Sequence, residues 1–428
     1  MTFYVKTYGC QMNQNDSQII EVIFKARGMQ AVRDIAEADL LVVNTCSVRT
    51  HAERRVNGFI SELHKWKRLR RERILCVVGC MSQRYGQDLM EKHPWIDIVA
   101  GPDTYQKLPL YVAEVSRERT KVCDLCLDGE LYCGIMREGV TSVAAHISIM
   151  RGCDNFCSFC VVPYLRGRAR SRPASDIVEE VAHLVGQGVR EVMLLGQNVN
   201  AYQDDGISFA GLLTRLNAVP GLLRIRFLTS HPADMDEAIL RTAAELGKVC
   251  EFLHLPLQSG SDRILELMNR RYTSRQYREL VDRARRLMPG LGLSTDVIVG
   301  FPTESDDEYQ TTKAMMQEIG FDFAYMFKYS PHRETASVKL EPKVDDTTAQ
   351  ERLDGIIALQ NGITKEKHAG LIGQVCELLV LGRVSDGKWQ GRTRDNKMVL
   401  FEGNAEVGTL ATVRVERLSG WTPIGKKI

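Results

Sequence analysis

The sequence predicts an α/β protein of several domains that ends in a small all-β domain. Apolar runs rich in β-branched residues alternate with amphipathic helical stretches as far as about residue 340, as in parallel sheets covered by helices. Beyond residue 371 the helical stretches stop and short strand-like runs follow one another, which is typical of a small β-barrel. The 428 residues are too many for one ordinary hydrophobic core, so two or three domains are expected.

The first domain is predicted at residues 1–116 as a parallel sheet with helices on both faces. Its strand-like runs are FYVKTYGC, DLLVVNTC, ILCVVGC and IDIVAG. Its helical stretches are NQNDSQIIEVIFKARG, residues 49–68 and a last helix at 105–115. Three of the strands end in cysteine, at Cys10, Cys46 and Cys80. Because the carboxyl ends of parallel strands share one edge of the sheet, these thiols are expected to converge there, unless they are buried structural cysteines like the mid-strand Cys76.

A connector is predicted at residues 117–144 as a mobile loop. It contains Cys123, Cys126 and Cys133, the first two in a C-x2-C spacing that suits a metal. A structural zinc site needs four ligands, and no histidine lies nearby. Incidental thiols are therefore the favoured interpretation, with metal binding as the alternative.

The second domain is predicted at residues 145–370 as a partial (β/α)6 barrel that stays open where a full barrel would close. Six strand-like runs follow one another with helical stretches between them: AHISIM, EVMLLG, LLRIRFLTS, EFLHLPL, LSTDVIVG and FDFAYMFKYS. Right-handed βα connections bring such strands into one parallel sheet, and barrel chemistry lies at the carboxyl ends of the strands. A polar-rich helix at about 345–369 is expected to lead into the last domain.

The third domain is predicted at residues 371–428 as a small β-barrel of the class to which OB-like RNA binders belong. Its strand-like runs are VCELLVLG, KWQGRTRDNKMVLF and TLATVRVERL. It has nine Lys and Arg against six Asp and Glu, a mild basic excess. The candidate RNA contacts in this domain are Arg392, Arg394, Lys397, Lys426 and Lys427.

A cysteine-rich loop follows the first barrel strand in the run MRGCDNFCSFCVVPYLRGRARSRP at 150–173. Cys153, Cys157 and Cys160 can hold three irons of a [4Fe–4S] cube and leave the fourth iron without a protein ligand. A structural zinc site would need a fourth ligand, whereas catalytic metal sites keep an open position. The next arginines alternate and would share one face of an extended segment, suited to phosphate or to a carboxylate: Arg166, Arg168, Arg170 and Arg172.

The C-x3-C-x2-C run, with the aromatic Phe159 between its last two cysteines, resembles the radical S-adenosylmethionine (SAM) signature. The order of the three domains along the whole chain resembles the radical-SAM methylthiotransferase family. That resemblance implies two [4Fe–4S] clusters, SAM as a cofactor, a C-terminal domain of the TRAM type, and an electron donor such as flavodoxin or ferredoxin. It assigns the SAM-binding cluster to Cys153, Cys157 and Cys160, and a second, auxiliary cluster to Cys10, Cys46 and Cys80.

Within that family, TYGCQMN, NTCSVR, LLGQNVNAY and RFLTSHPADM resemble the branch that adds a methylthio group to isopentenyl-adenosine in tRNA. Gln11, Met12 and Asn13 favour this branch over those that act on threonylcarbamoyl-adenosine or on a ribosomal protein. The loop YSPHRETAS at 329–337 departs from the Arg-Pro-Gly-Thr turn usual there, so its contacts must differ. Two alternatives stay open: one of those other substrates, and a non-catalytic metal-cluster module that binds RNA.

Other candidates lie at the ends of barrel strands. The resemblance makes Gln197 and Asn198 candidate contacts of SAM, and Gln258 and Ser259 are expected to line the same cavity, together with His254, Ser261, Asp296 and Gly300. A hydrogen-bonded core histidine is an equally good interpretation of His254. The run KWKRLRRER at 65–73 is typical of a solvated helix face, with RNA binding as the alternative.

Composition and charge exclude some classes of protein. The net charge is only +2, so any contact with nucleic acid must come from local basic patches. The sequence has no apolar run long enough to span a bilayer and no secretory signal, which predicts a cytoplasmic protein without a membrane partner. The chain has twelve cysteines, and in a reducing compartment these favour metal or cluster ligation over disulfides.

Overall fold

The computed structural model of the protein describes residues 1–47 and 50–428. It confirms the predicted fold class: an N-terminal parallel sheet, a central partial barrel and a closed C-terminal β-barrel. The helix predicted at 49–68 is described from Thr50 to Leu69, and Arg49 lies outside the described residues. Val48 of the NTCSVR motif likewise lies outside the described residues.

The N-terminal sheet has six strands, all parallel, in the order β2-β1-β3-β4-β5-β6. The strands are β1 (Thr2–Thr7), β2 (Gln30–Ala31), β3 (Leu40–Thr45), β4 (Ile74–Gly79), β5 (Ile98–Ala100) and β6 (Val122–Asp124). The helices are α1 (Gln11–Lys25), α2 (Thr50–Leu69), α3 (Cys80–Lys92) and α4 (Leu108–Glu118). Every residue of β3 and β4 is buried, because helices cover both faces of the sheet.

The structure corrects the prediction of a mobile connector. Strand β6 lies within residues 117–144, pairs with β5 and extends the N-terminal sheet. The Tyr132 side chain is buried, stacks on Tyr105 with ring centroids 5.4 Å apart, and donates its hydroxyl to the carbonyl of Pro102 at 2.7 Å. This part of the chain therefore contributes to the core of the first domain.

The central domain contains all six predicted strands as two three-stranded parallel sheets, β13-β10-β7 and β14-β15-β16. A bridge between Ile225 and Val249 joins the sheets into one partial barrel. The strands are β7 (Ala144–Ser148), β8 (Met150–Arg151), β9 (Arg170–Ser171), β10 (Glu191–Leu195), β11 (Gln203–Asp204), β12 (Ile207–Ser208), β13 (Arg224–Phe227), β14 (Phe252–His254), β15 (Gly292–Val299) and β16 (Phe323–Lys328). The helices are α5 (Val162–Arg166), α6 (Ala174–Gly186), α7 (Phe209–Asn217), α8 (Glu237–Glu245), α9 (Asp262–Leu267), α10 (Ser274–Leu287), α11 (Asp306–Ile319) and α12 (Asp346–Ala369). Within the described residues, β7 and β16 do not pair, so the barrel stays open there.

The C-terminal domain is a closed barrel in the order β17-β18-β19-β21-β20. Its strands are β17 (Val375–Arg383), β18 (Trp389–Arg392), β19 (Met398–Glu402), β20 (Leu410–Ser419) and β21 (Thr422–Lys427). Alternate residues of β20 are buried, which matches a strand with one face on the core and the other on solvent.

The C-terminal domain packs against the amino ends of the central barrel strands, opposite the cysteine-rich loop. Arg226 of β13 is 1% exposed and donates through Nη2 to the Thr393 carbonyl at 2.6 Å. Three cations of the C-terminal domain pair with carboxylates of the central domain: Arg392 with Glu191 at 3.1 Å, Arg394 with Glu251 at 2.6 Å, and Lys397 with Asp322 at 3.0 Å. The structure therefore corrects the prediction that Arg392, Arg394 and Lys397 contact RNA, because these side chains join two domains.

Within the described residues, no helix is both long and apolar enough to cross a membrane.

Candidate active site

The structure brings Cys10, Cys46 and Cys80 together at the carboxyl edge of the N-terminal sheet. Cys10 is the residue before α1, Cys46 follows β3, and Cys80 is the first residue of α3. Cys10 is exposed, whereas Cys46 and Cys80 are buried. The thiols of Cys10 and Cys46 are hydrogen-bonded to each other, and the charge of Cys10 acts on Cys80. This group of three cysteines is called the auxiliary triad below.

Glycines before two of these cysteines allow the strand ends to approach closely. Gly9 has φ +131°, and a Cβ there would lie 2.6 Å from the Cβ of Cys46. Gly79 has φ +94°, and a Cβ there would lie 2.6 Å from the carbonyl oxygen of Thr45. A larger residue at either position would separate the strand ends, so the Gly-Cys pairs are needed to assemble the auxiliary triad.

Asn13, from the QMN motif, ties the loops of the auxiliary triad together. Its side chain is fully buried and donates through Nδ2 to Asn44 Oδ1 at 3.1 Å and to the Thr45 carbonyl at 3.0 Å. Its Oδ1 accepts from Cys10 Sγ at 3.3 Å. The sequence motif thus has a local physical role, which is to hold the chain on both sides of the triad in register. The partner Asn44 was not singled out from the sequence.

The surroundings of the auxiliary triad favour the thiolate form of Cys10 and disfavour the thiolate form of Cys80. The hydrogen bond from Cys46 and the nearby charge of Arg166 lower the pKa of Cys10 to about 6, although burial opposes this shift. Burial raises the pKa of Cys80, and the charge of Arg166 opposes that rise. Because a thiolate is the form that binds metal, a buried cation beside the three thiols suits metal ligation.

Cys153, Cys157 and Cys160 lie on one loop between β8 and α5, and all three are partly buried. The loop is held in place by α9, since Ser158 donates through N to the Met268 carbonyl at 3.0 Å and through Oγ to the Leu267 carbonyl at 2.6 Å. This group of cysteines is called the loop triad below. Both triads lie at carboxyl ends of parallel strands, where ligand sites form in such sheets.

The loop triad also has a half-buried cation beside it. Arg270 donates through Nη1 to Cys157 Sγ at 3.3 Å, and its position is fixed by Tyr272 Oη at 3.1 Å and the Pro256 carbonyl at 3.1 Å. Burial, together with the neighbouring Cys157, raises the pKa of Cys160 to about 12. Arg270 was not found from the sequence, because it lies in an ordinary basic pair 113 positions after Cys157.

One carboxylate of the N-terminal domain holds both ends of the loop that carries the loop triad. Asp16 of α1 is fully buried and pairs with Arg151, just before the loop, and with Arg166, just after it. The Arg166 Nη2 to Asp16 Oδ2 distance is 2.8 Å, and the Arg151 guanidinium lies 4.5 Å from the ring centroid of Tyr132. This arrangement fixes the loop triad relative to the auxiliary triad.

The structure corrects the prediction that the alternating arginines share one face suited to phosphate or to a carboxylate. Arg166 is 4% exposed and Arg170 pairs with Asp103 of the N-terminal domain at 2.9 Å. Arg172 pairs with Asp176 and Glu180 inside the central domain. Only Arg168 has a mostly exposed side chain, at 71%, beside the ring of Phe156. These residues are not in one extended segment, since Arg166 is the last residue of α5.

Gln197 and Gln258 are the two candidate cofactor contacts whose surroundings fit a role at the cofactor site. Gln197 accepts through Oε1 from the backbone N–H of Gly152 at 2.6 Å, so it positions the residue before Cys153. Gln258 is 7% exposed, and its Oε1 is buried without a hydrogen-bond partner among residues 1–47 and 50–428. A buried acceptor with no partner fits a site whose ligand supplies the donor.

Three other candidates are engaged in the protein itself. Asn198 donates to Asp234 Oδ2 at 2.6 Å and accepts from the backbone N–H of His231 at 3.2 Å. Ser259 is fully buried and accepts from the backbone N–H of Ser261 at 3.2 Å. His254 contacts Ser294 Oγ at 2.9 Å and Asp296 Oδ2 at 3.4 Å, which matches the interpretation as a hydrogen-bonded core histidine. These contacts leave Asn198 and Ser259 to support their loops rather than to bind a cofactor.

The unusual loop at 329–337 bridges the two triad-bearing domains. Arg84 of α3 donates to Glu334 at 3.0 Å and contacts His332 Nδ1 at 3.0 Å. Ser337 donates its backbone N–H to the carbonyl of Ser158 at 2.9 Å, within the loop triad. The departure from the usual turn therefore comes with a specific ion pair to the N-terminal domain.

The donor set at each triad fits a [4Fe–4S] cluster with one open iron. Each site offers three cysteines and one adjacent guanidinium, which balances part of the negative charge of the thiolates. Within the described residues, no three His, Cys, Asp or Glu side chains are close enough to hold one metal ion. In a cube each cysteine binds a different iron, so its thiolates need not crowd around a single ion.

Three family models match the chain, and together they cover most of it. Residues 2–101 match uncharacterized protein family UPF0004, residues 147–316 match the radical SAM superfamily, and residues 371–428 match the TRAM domain.

Curated relatives are similar along the whole chain. A protein from Moorella thermoacetica is 41% identical over 436 residues, which covers 100% of this chain and 98% of the relative. A protein from Bacteroides thetaiotaomicron is 40% identical over 438 residues, which covers 99% of this chain and 96% of the relative. Both are named tRNA-2-methylthio-N(6)-dimethylallyladenosine synthase.

Solved structures with a similar fold share little sequence with this chain. The radical S-adenosylmethionine methyltransferase TsrM from Kitasatospora setae superimposes with a TM-score of 0.58 at 14% identity, covering 79% of this chain and 77% of that one. The cobalamin-dependent S-adenosylmethionine radical enzyme OxsB superimposes with a TM-score of 0.52 at 11% identity, covering 84% of this chain and 56% of that one. These likenesses concern the fold alone.

Proposed function

Because the chain belongs to the tRNA-2-methylthio-N(6)-dimethylallyladenosine synthase family, we infer that it is a radical-SAM methylthiotransferase that modifies tRNA. It transfers a methylthio group to C2 of N6-isopentenyladenosine, also called N6-dimethylallyladenosine, next to the anticodon. It uses two [4Fe–4S] clusters and SAM, which is both the radical source and the methyl donor. The structural observation that supports this most directly is the presence of two separate cysteine triads, each with its own adjacent arginine.

The reaction requires a cofactor because C2–H of adenine is neither acidic nor electrophilic. SAM bound at a cluster supplies a carbon radical able to remove that hydrogen. Cys153, Cys157 and Cys160 would hold this cluster, and Gln197 and Arg270 fix the loop that presents it. Gln258, with its unpartnered Oε1, would accept a hydrogen bond from SAM.

The auxiliary triad would hold the second cluster, close to where the sulfur is needed. Met12 of α1 packs with three apolar residues at the top of the central barrel, Met193, Leu195 and Leu228. The Asp16 ion pairs and the Arg84–Glu334 pair add two further contacts between the domains. These contacts support a fixed separation of the two sites, which orients a substrate base that must meet both.

A group of exposed basic side chains on the C-terminal domain supports contact with tRNA. Arg414 of β20 lies directly opposite Lys426 of β21, and both side chains are exposed. Like charges opposite each other destabilise a sheet unless an anion lies between them. Lys427 and Arg417 are exposed on the same strands, and the exposed Trp421 forms the turn between them. Phosphates with an unpaired base would suit such a surface.

We expect the double change Arg414→Ala and Lys426→Ala to weaken tRNA binding. If each side chain neutralises one phosphate, the slope of log K against log salt should fall in magnitude by roughly 1.4 to 1.8. Binding should be measured by filter retention over a salt series, with SAM cleavage in the absence of RNA as a check on folding. Lys388→Ala, which removes a cation paired with Asp386 in the same domain, is the matched control. An unchanged slope in the double variant would assign the RNA contact to another surface.

The electron for SAM cleavage must come from outside the chain, and we propose flavodoxin or ferredoxin as its donor. We propose the cytoplasm as the location, since the substrate is tRNA. We likewise propose that Cys153, Cys157 and Cys160 hold one cluster and that Cys10, Cys46 and Cys80 hold the other.

Nucleoside mass spectrometry of tRNA tests the proposed function. In a strain that lacks this gene, we expect 2-methylthio-N6-isopentenyladenosine to disappear and N6-isopentenyladenosine to accumulate. The wild-type gene should restore the methylthio nucleoside, and a gene for the Cys157→Ala variant should not. Loss of a methylthio derivative of threonylcarbamoyl-adenosine, with the isopentenyl nucleosides unchanged, would overturn the substrate assignment.

A further inference from the structure

Arg84 joins carboxylates from two different domains. Its side chain is 7% exposed and lies on α3, one helical turn after Cys80. Nη1 lies 3.0 Å from Glu53 Oε1 of α2, in the same domain. Nε and Nη2 donate to the two carboxylate oxygens of Glu334 in the central domain, at 3.1 and 3.0 Å. A pair with two parallel hydrogen bonds fixes the orientation of both groups as well as their distance.

The N-terminal end of this network reaches a ligand position of the auxiliary triad. Ser47 follows Cys46 directly, is fully buried and donates its hydroxyl to Glu53. The same hydroxyl accepts from Arg84 Nη1 at 3.5 Å. A displacement of Arg84 would therefore act on the backbone next to Cys46, both directly and through Glu53.

The other end of the network reaches the loop triad. Glu334 is three residues before Ser337, which is fully buried. Ser337 donates its backbone N–H to the carbonyl of Ser158 at 2.9 Å, and Ser158 lies between Cys157 and Cys160. The ion pair is thus only a few residues away from a ligand position of each triad.

This attachment is separate from the one that Asp16 provides. Asp16 belongs to α1, which follows β1, whereas Arg84 belongs to α3, which follows β4. Strand β3 lies between β1 and β4 in the N-terminal sheet. Two attachments on opposite sides of β3 restrict rotation of one domain about either of them. With both in place, the angle between the domains is restrained as well as their distance.

We propose that the Arg84–Glu334 ion pair couples SAM cleavage to sulfur transfer by fixing the position of the auxiliary triad relative to the loop triad. A misplacement of about 1 Å can lower a rate on the order of 100-fold, even when the changed residue is far from the chemistry. Without the pair, the loop triad is still held by α9 and Arg270, so SAM cleavage would continue. Arg84 and Glu334 are thus positioning residues, and this role rests on the proposed function.

Replacing Glu334 in the holoenzyme tests the proposal. In Glu334→Ala, Arg84 keeps Glu53 as a partner, so its charge is not left unpaired. We expect 5′-deoxyadenosine at the wild-type rate and about tenfold less methylthio nucleoside, because only the placement of the sulfur is disturbed. Both products are measured in one anaerobic reaction with saturating tRNA. Their ratio gives the fraction of cleavage events that lead to transfer.

A spectroscopic measurement without RNA reports the separation of the two clusters. Both clusters are reduced, and the dipolar coupling between them is measured by EPR. Because this coupling falls steeply with distance, we expect it to be weaker and more widely distributed in Glu334→Ala than in the wild type. A change that only lowered the stability of the fold would leave the coupling unaltered in the folded molecules.

Two further variants make the result specific. Glu318→Ala removes a carboxylate that Arg278 contacts at 2.9 Å within the central domain, and it should leave the product ratio and the coupling unchanged. Glu334→Gln keeps the side-chain volume and one acceptor oxygen but not the charge, so both measurements should shift in the same direction by a smaller amount. If Glu334→Ala fails to load iron, Glu334→Gln decides the question.

A wild-type product ratio in the iron-loaded Glu334→Ala enzyme would overturn the proposal. An equal fall of both products would also overturn it, because the loop triad itself would then depend on Glu334. So would a changed ratio with wild-type dipolar coupling, because the position of the auxiliary triad would then not be the cause. Failure of the proposed function would appear in the nucleoside analysis of the wild type instead, and the dipolar measurement does not depend on that result.

Discussion

Replacing Cys10, Cys46 and Cys80 together with alanine will abolish methylthio transfer and leave SAM cleavage intact. The auxiliary triad lies at the edge of the N-terminal sheet, whereas the loop triad is held by Gln197, α9 and Arg270 in the central domain. Neither triad can complete the other's cluster, because one lies at strand ends of the N-terminal sheet and the other on the loop between β8 and α5. About half of the iron should therefore be lost together with all of the methylthio product.

Both products should be measured in one anaerobic reaction: 5′-deoxyadenosine by chromatography and the methylthio nucleoside by mass spectrometry. The matched control is the triple alanine variant of the exposed Cys123, Cys126 and Cys133, which also removes three thiols but belongs to neither triad. That control should form both products. Methylthio nucleoside from the first triple variant would mean that the transferred sulfur does not come from the auxiliary site.

A single change in the loop triad should abolish SAM cleavage as well as methylthio transfer, whereas the triple change in the auxiliary triad should abolish only the transfer. Cys157→Ala removes one of three cluster ligands and leaves the half-buried Arg270 guanidinium without its sulfur partner at 3.3 Å. The cluster should be absent or labile, and both 5′-deoxyadenosine and methylthio product should fall to background under dithionite. Cys376→Ala, in the C-terminal domain, is the control for loss of a thiol outside both sites. Deoxyadenosine at the wild-type rate in Cys157→Ala would refute the assignment of this cysteine.

Much of the fold could be predicted because its strands are long apolar runs. Strand β4 has six apolar or small residues in a row and β3 begins with four apolar residues, so their positions are clear from the sequence. Strands β2 and β6 have two and three residues and, unlike the equally short β5 in IDIVAG, lie in no longer apolar run, so no periodicity is seen. The sequence therefore indicated the four inner strands of the N-terminal sheet and missed its two edge strands.

The candidate site was predictable where chemistry depends on spacing within a short segment. The loop triad lies within eight residues, and the strand-end rule was enough to suggest the convergence of Cys10, Cys46 and Cys80. Arg166 and Arg392 were misread, because an arginine that pairs with a carboxylate of another domain has the same local sequence as one that binds phosphate. Their partners, Asp16 and Glu191, lie 150 and 201 positions away, beyond any local pattern.

The position of Asp16 in the chain affects the order in which the protein can be completed during synthesis. The carboxylate of Asp16 is part of the first helix, but its partner Arg166 is made 150 residues later. At 5 to 20 residues per second, the ribosome needs roughly 8 to 30 s to reach it. During that interval the nascent N-terminal domain holds a carboxyl group that cannot be buried as a charged group without large cost. Final burial of α1 must therefore wait for the start of the barrel, which couples the maturation of the two domains on the ribosome.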